Sequence, residues 1–210
     1  MSKDGIVIVD YGMGNLRSVQ KAFEHCGAKP KISSSASEIR KASKIVLPGV
    51  GAFTAAVREL EKRKLVGAIK EKIADGTPYL GLCLGLQLLF DESQENEGKR
   101  KAKGFGVIPG KVRRFQGKMK IPHMGWNTLK VQKKNCPLFK GTKAGEHFYF
   151  VHSYYGRPKD RSWNLAVTPY GGDFCSAVSK GNIFATQFHP EKSQAAGLRV
   201  IKNFIRYKAK

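Results

Sequence analysis

Apolar positions along the chain follow two different periods, and the change from one to the other divides it in half. Residues 5–10 (GIVIVD) form a short, unbroken β-branched run, the mark of a strand covered on both faces. A glycine-rich turn, Tyr11–Asn15, then gives way to helical spacing, with Leu16, Val19 and Phe23 on one side and Gly27 as the stop. Ser35 and Glu38 have the spacing of a capping box and predict a helix start there. Residues 43–49 repeat the buried-strand pattern and run into a Pro-Gly turn. Residues 52–74 carry one helical stripe through Ala56, Leu60, Leu65, Ala68, Ile69 and Ile73. A third strand is expected over 77–83, with residues 84–90 (LGLQLLF) as the helix that follows it. Alternation of this kind predicts a parallel α/β sheet.

The second half is built from shorter pieces. Segments 103–115, 147–156, 163–170, 174–178 and 182–189 are brief, rich in β-branched and aromatic residues, and punctuated by Gly, Pro and Asn. Residues 179–182 (SKGN) read as a hairpin connection between two of them. A last amphipathic helix sets Leu198, Ile201 and Ile205 on one face, and the polar run 91–104 reads as an exposed loop. With no repeat and no long linker, one domain spanning residues 1–210 is expected. Its architecture is mixed α/β: a mostly parallel central sheet flanked by helices, with a β-rich C-terminal half.

Composition narrows the class. A hydrophobic content of 41% over 210 residues is enough to fill one core. No apolar window approaches the roughly 18 residues of a membrane span, and the N-terminal apolar run is too short for a signal peptide. Cys26, Cys83, Cys136 and Cys175 are far apart and form no Cys-x-x-Cys pair, as expected of reduced thiols in a cytoplasmic protein. His123, His147, His152 and His189 do not fall at zinc-ligand spacing with them, so no metal is expected. The net charge of +22, from 38 basic against 16 acidic residues, suits an acidic partner or nucleic acid. The basic residues are nevertheless spread out, with local clusters at 98–103, 111–114 and 133–134. No nucleic-acid module accompanies them, so such binding is not expected.

Cys83 is the residue that composition does not explain. It sits between Gly81 and Gly85 at the junction of an expected strand and an expected helix. The pattern G-x-nucleophile-x-G is that of a nucleophile elbow, in which the central residue is strained and its neighbours must lack bulk. A thiol there also faces a helix N-terminus, which favours thiolate. A buried cysteine between two packing glycines would give the same five letters, so the reading needs a base. Residues 185–193 (ATQFHPEKS) supply one. His189 and Glu191, at i and i+2 of an extended segment, point the same way, with Pro190 stiffening the step. Glu191 can then hold the imidazole while His189 takes the thiol proton. An oxyanion hole would draw one donor from the Leu84 N–H and another from the glycine-rich turn after the second strand, with Val50 and Gly51 as candidates.

At this point the motifs resemble a known family. PGVGAF (48–53), GLCLGLQLLF (81–90) and QFHPEKS (187–193) are similar to the class I, triad-type glutamine amidotransferases, which hydrolyse glutamine through a cysteine thioester and pass ammonia to a synthase partner. DYGMGNLRSV (10–19), PHMGWN (122–127) and FYFVHSYY (148–155) narrow the resemblance to the glutaminase subunits of imidazole glycerol phosphate synthase. It runs from about residue 6 to residue 206. The resemblance implies the class I amidotransferase fold, Cys83 as nucleophile, His189 as general base and acid, and Glu191 as its orienter. It implies Gln87 as a binder of substrate glutamine. It also implies that Asn15, Met124, Trp126 and Lys192 face a cyclase subunit, HisF, in a heterodimer around the ammonia exit. No cofactor is implied. The competing readings are a glutaminase feeding a related sugar-amidating synthase, and an inactive basic scaffold on the same fold.

Overall fold

The strand Ile6–Val9 is buried along its whole length, and its alternate side chains serve two separate cores. Ile6 and Ile8 point into one apolar cluster, Val7 and Val9 into the other. That is the period of two expected of a strand with helices on both sides. The structure is a computed structural model and describes residues 5–95 and 103–209. Most of the basic run 98–103 therefore lies outside the described residues.

In chain order the first half contains β1 (Ile6–Val9), α1 (Leu16–His25), β2 (Lys31–Ser33), α2 (Ala36–Lys41), β3 (Lys44–Gly49), α3 (Phe53–Lys62), α4 (Leu65–Ala74), β4 (Tyr79–Cys83) and α5 (Leu84–Gln87). The second half contains β5 (Phe90–Ser93), β6 (Ile108–Arg114), β7 (His123–Thr128), β8 (Lys130–Val131), β9 (His147–His152), β10 (Tyr154–Pro158), β11 (Asn164–Pro169), β12 (Asp173–Lys180), β13 (Ile183–Thr186) and α6 (Gln194–Arg206). The main sheet has eight strands in the order β2-β1-β3-β4-β13-β12-β11-β8. The run from β2 to β13 is parallel, and the three strands beyond it are antiparallel. Helices α2, α3 and α4 cover one face, while α1 and α6 cover the other. The expected mostly parallel α/β sheet with a β-rich second half is what forms. β10, β6 and β5 make a small second sheet, and β7 pairs with β9.

Several local expectations are corrected. The stripe over 52–74 belongs to two helices, because Lys64 takes a left-handed conformation with φ 57°. Leu60 and Leu65 keep to the same core, so the periodicity runs through the break. The helix after Cys83 stops at Gln87. The carbonyls of Leu88 and Leu89 are taken by the N–H groups of Phe105, Val107 and Ile108, which pulls Phe90 into a strand. The polar segment after it is likewise not all loop: Phe90 and Ser93 are buried. Its polar side chains meet backbone donors, Asp91 Oδ2 accepting from Gly110 N and Glu95 Oε2 from Phe53 N. Residues 96–102 of the expected loop lie outside the described residues. Helix α2 starts at the expected place, but the Ser35 side chain makes no capping bond. Glu38 turns instead to Lys31. β2 has only three residues and carried no signal of its own.

Candidate active site

Three neighbouring parallel strands, β3, β4 and β13, end at one edge of the sheet, and each delivers part of the site. This is where ligands bind in open α/β sheets. In register, Gly49 stands opposite Cys83 and Thr186 opposite Leu82, so the residues after Thr186 run alongside the end of β4.

Cys83 sits at the elbow with φ 53° and ψ −103°, a left-handed conformation that costs a non-glycine residue about 1–3 kcal/mol. Its neighbours explain how the strain is held. A Cβ on Gly81 would meet the Gly85 carbonyl, and one on Gly85 would collide with the Leu47 carbonyl oxygen. Neither glycine has positive φ; both are there for space. The Tyr79 hydroxyl, fully buried, donates to the Gly85 carbonyl at 2.8 Å and pins the turn from below. α5 has only four residues, too few for much of a macrodipole, so the surroundings of the thiol are set by other groups.

Those groups come from the segment after β13. His189 and Glu191 are almost wholly buried, and His189 Nδ1 lies 2.8 Å from Glu191 Oε1. A carboxylate accepts only, so Nδ1 carries the proton and donates it. The His189 backbone is locked by Tyr149, whose carbonyl accepts its N–H at 2.9 Å. It is locked again by Ser193, whose hydroxyl donates to the His189 carbonyl at 2.6 Å. The same Ser193 oxygen accepts from Tyr149 N. Nε2, on the far side of the ring, has no partner of full hydrogen-bond geometry, although Cys83 lies within electrostatic and weak hydrogen-bonding reach. Burial disfavours a charged imidazole here. The pull of Cys83, and then of Glu191, outweighs it and holds His189 up at about 10. The arrangement sets a carboxylate-oriented imidazole against the elbow sulfur.

Val50, Gly51, Cys83, Leu84, Gln87, His152, Tyr154 and His189 line one cleft of about 250 Å³. All three oxyanion candidates therefore share a cleft with the sulfur. Gln87 is buried at the cleft wall, with its Nε2 donating to the Tyr154 carbonyl at 2.9 Å and to Gln187 Oε1 at 3.1 Å. Gln187 itself was missed in the sequence.

Of the four residues expected at a partner surface, Met124, Trp126 and Lys192 are carried by β7 and by the segment packed against its partner strand β9. Met124 and Trp126 project from β7, 67% and 47% exposed. The Trp126 ring meets Tyr149 edge-on at 5.8 Å, and Lys192 Nζ lies over the same Tyr149 ring at 5.9 Å. Asn15 lies at the start of α1. Its side chain caps α1 by accepting from Ser18 N, in a loop whose Gly14 packs near Pro48 of the oxyanion turn.

Comparison with known proteins gives the family. The model of the family "Glutamine amidotransferase class-I" matches residues 7–207. The chain belongs to the class-I glutamine amidotransferases. Its fold is shared with a crystal structure of a glutamine amidotransferase (TM-score 0.73, 20% identity, 96% of this chain and 99% of that one). It is shared too with PurLQS from Thermotoga maritima (TM-score 0.74, 20% identity, 98% and 99%). Sequence relatives are more specific. Imidazole glycerol phosphate synthase subunit HisH of Syntrophotalea carbinolica is 50% identical over 206 residues, covering 95% of this chain and 98% of that protein. HisH of Rhodopirellula baltica is 51% identical over 201 residues (95% and 96%). HisH of Methanocaldococcus jannaschii is 48% identical over 200 residues (95% and 98%). Within its class, the chain falls in the HisH family.

Proposed function

We propose that this chain works as one domain, the glutaminase subunit of imidazole glycerol phosphate synthase in histidine biosynthesis, in the cytoplasm. It hydrolyses L-glutamine to glutamate and ammonia. The observation that carries the reading is the elbow cysteine facing a buried, carboxylate-oriented histidine in one cleft.

Cys83 Sγ attacks the side-chain amide carbon of glutamine, and the carbonyl oxygen gains the charge. The Leu84 N–H, with Val50 or Gly51, receives that oxygen; each such donor is typically worth a factor of about 10² to 10³ in rate. His189 gives a proton to the departing nitrogen, ammonia leaves and a thioester remains. His189 then takes a proton from water, whose oxygen attacks the thioester carbon, releasing glutamate and restoring the thiol pair. Glu191 keeps the ring in the orientation both steps need. Gln87 binds the substrate glutamine.

Ammonia released to water is protonated and lost, so the site serves a synthase that captures it. The partner is the cyclase subunit, HisF, in a one-to-one heterodimer. It makes imidazole glycerol phosphate and an aminoimidazole carboxamide ribonucleotide. Met124 and Trp126 offer the apolar anchors such an interface uses, with Asn15 and Lys192 at its border. The test is ammonia release from glutamine by the chain alone, with the cyclase, and with the cyclase plus its nucleotide. The expected result is a many-fold rise in the last case. No release under any of the three conditions would refute the reading.

A further inference from the structure

Gln187 is completely buried, two residues before His189, and its side chain reaches the Cys83 sulfur. Its Nε2 lies 3.5 Å from Cys83 Sγ. Which end of an amide faces a neighbour must be decided from its partners, and here they decide it. The chain of contacts begins at the Tyr154 carbonyl, which accepts only. Gln87 must therefore present its N–H group to it, at 2.9 Å. The same Gln87 nitrogen donates to Gln187 at 3.1 Å, which fixes the oxygen of Gln187 on that side. The nitrogen of Gln187 is left facing the sulfur.

The anchor is itself held. Tyr154 O also accepts from His152 Nδ1 at 2.8 Å, so both of its lone pairs are occupied by donors. His152 Nε2 then accepts from His123 Nδ1 at 3.0 Å, and His123 Nε2 from Asn127 Nδ2 at 3.2 Å. Burial holds His152 down at about 3 and His123 at about 4, so both rings stay neutral and keep these tautomers. Every member of the series has one permitted orientation, and the last of them aims an N–H at Cys83.

We propose that Gln187 is a positioning residue for Cys83, its amide N–H fixing the direction of the sulfur and supporting its negative charge before glutamine arrives. This rests on the glutaminase reading for its purpose, though not for its physics. A hydrogen bond to a charged group contributes more than one to a neutral group. The amide therefore favours thiolate over thiol, and Gln87 enforces the amide's orientation while also lining the cleft.

The test uses the full chain without glutamine: the rate of Cys83 alkylation by iodoacetamide against pH, resolved from Cys26, Cys136 and Cys175 by peptide mass spectrometry. Gln187→Met keeps the shape and removes the donor. It is expected to slow alkylation at pH 7 about tenfold and to move the pH midpoint up by about one unit. Gln187→Glu, which puts an acceptor against the sulfur, should move it further. Gln87→Met leaves Gln187 in place but frees its amide to turn, and should slow alkylation about threefold. In the complex with the cyclase, Gln187→Met should lower kcat with KM held within about twofold. Midpoints equal to the unsubstituted chain in Gln187→Glu and Gln87→Met would overturn the proposal, whether or not Gln187→Met folds. A shifted midpoint in a chain that never hydrolyses glutamine would support the positioning role and refute the glutaminase reading.

Discussion

The floor and the rim of the cleft are built to opposite rules. On the floor, Cys83, Gln87, Gln187 and His189 are buried, and fixed hydrogen bonds run from residue to residue. At the rim Val50 lines the cleft, and beyond it Met124 and Trp126 stand on β7, the partner of β9; these are the large hydrophobic side chains left exposed among the described residues, at 40%, 67% and 47%. A floor of that kind is complete in the isolated chain. An exposed apolar rim is complete only when something covers it. On the proposed reading the difference separates chemistry from control: Cys83 and His189, which would act, are fixed by the fold, and Met124 and Trp126 are left for a partner to cover.

Breaking the floor should therefore cost the most. Cys83→Ala, whose smaller side chain fits the elbow, is expected to lower partner-activated ammonia release by about 10⁴-fold or more while the circular-dichroism melt stays in place. His189→Ala should lose about 10⁴-fold, and Glu191→Gln about tenfold less, since orienting a base contributes less than being one. The reverse order in a side-by-side rate measurement would mean the two roles are exchanged. Gly85→Val drives a side chain into the Leu47 carbonyl and should remove about 3 kcal/mol of stability in a urea melt. A fully stable, fully active Gly85→Val would break the elbow reading.

The rim should respond differently. Trp126→Ala is expected to weaken binding of the cyclase by about 30-fold, the equivalent of roughly 2 kcal/mol for an interface anchor, while leaving Cys83 alkylation unchanged. A rim substitution that altered the alkylation rate of the free chain would erase the distinction.

The smallest effect concerns pH. Folding raises His189 from 6.5 to about 10, so the folded chain binds that proton more tightly than the unfolded one. Its contribution to stability is whole below about 6.5 and is lost as the pH rises through about 10. Because Cys83 is the largest cause of the rise, Cys83→Ala should flatten this alkaline loss in urea melts taken between pH 7 and 10. An unchanged slope would mean the pair is not coupled as described.

What could be read in the sequence follows from how local each constraint is. The elbow was legible because five consecutive residues carry all of it. The contact between His189 and Glu191 was legible because an extended segment places i and i+2 on one side. Gln187 was not, because its place beside Cys83 depends on the register of β13 on β4, which no short stretch encodes. Tyr79 under Gly85 and Ser193 behind His189 are silent for the same reason. The break at Lys64 was hidden because the apolar stripe resumes in phase beyond it. Strand β5 was hidden in a polar run whose side chains find backbone partners far along the chain. Met124 and Trp126 were named only through family resemblance, and the cap that Asn15 puts on α1 was not foreseen.

The claim that the floor acts and the rim waits can be tested by trapping the intermediate. The chain, saturated with cyclase and its nucleotide, is mixed with glutamine, quenched in acid and mapped by peptide mass spectrometry. The expected result is a γ-glutamyl thioester on the Cys83 peptide alone, formed to the same extent in Trp126→Ala once the partner is saturating. A thioester on Cys26, Cys136 or Cys175, or none on any cysteine, would contradict it.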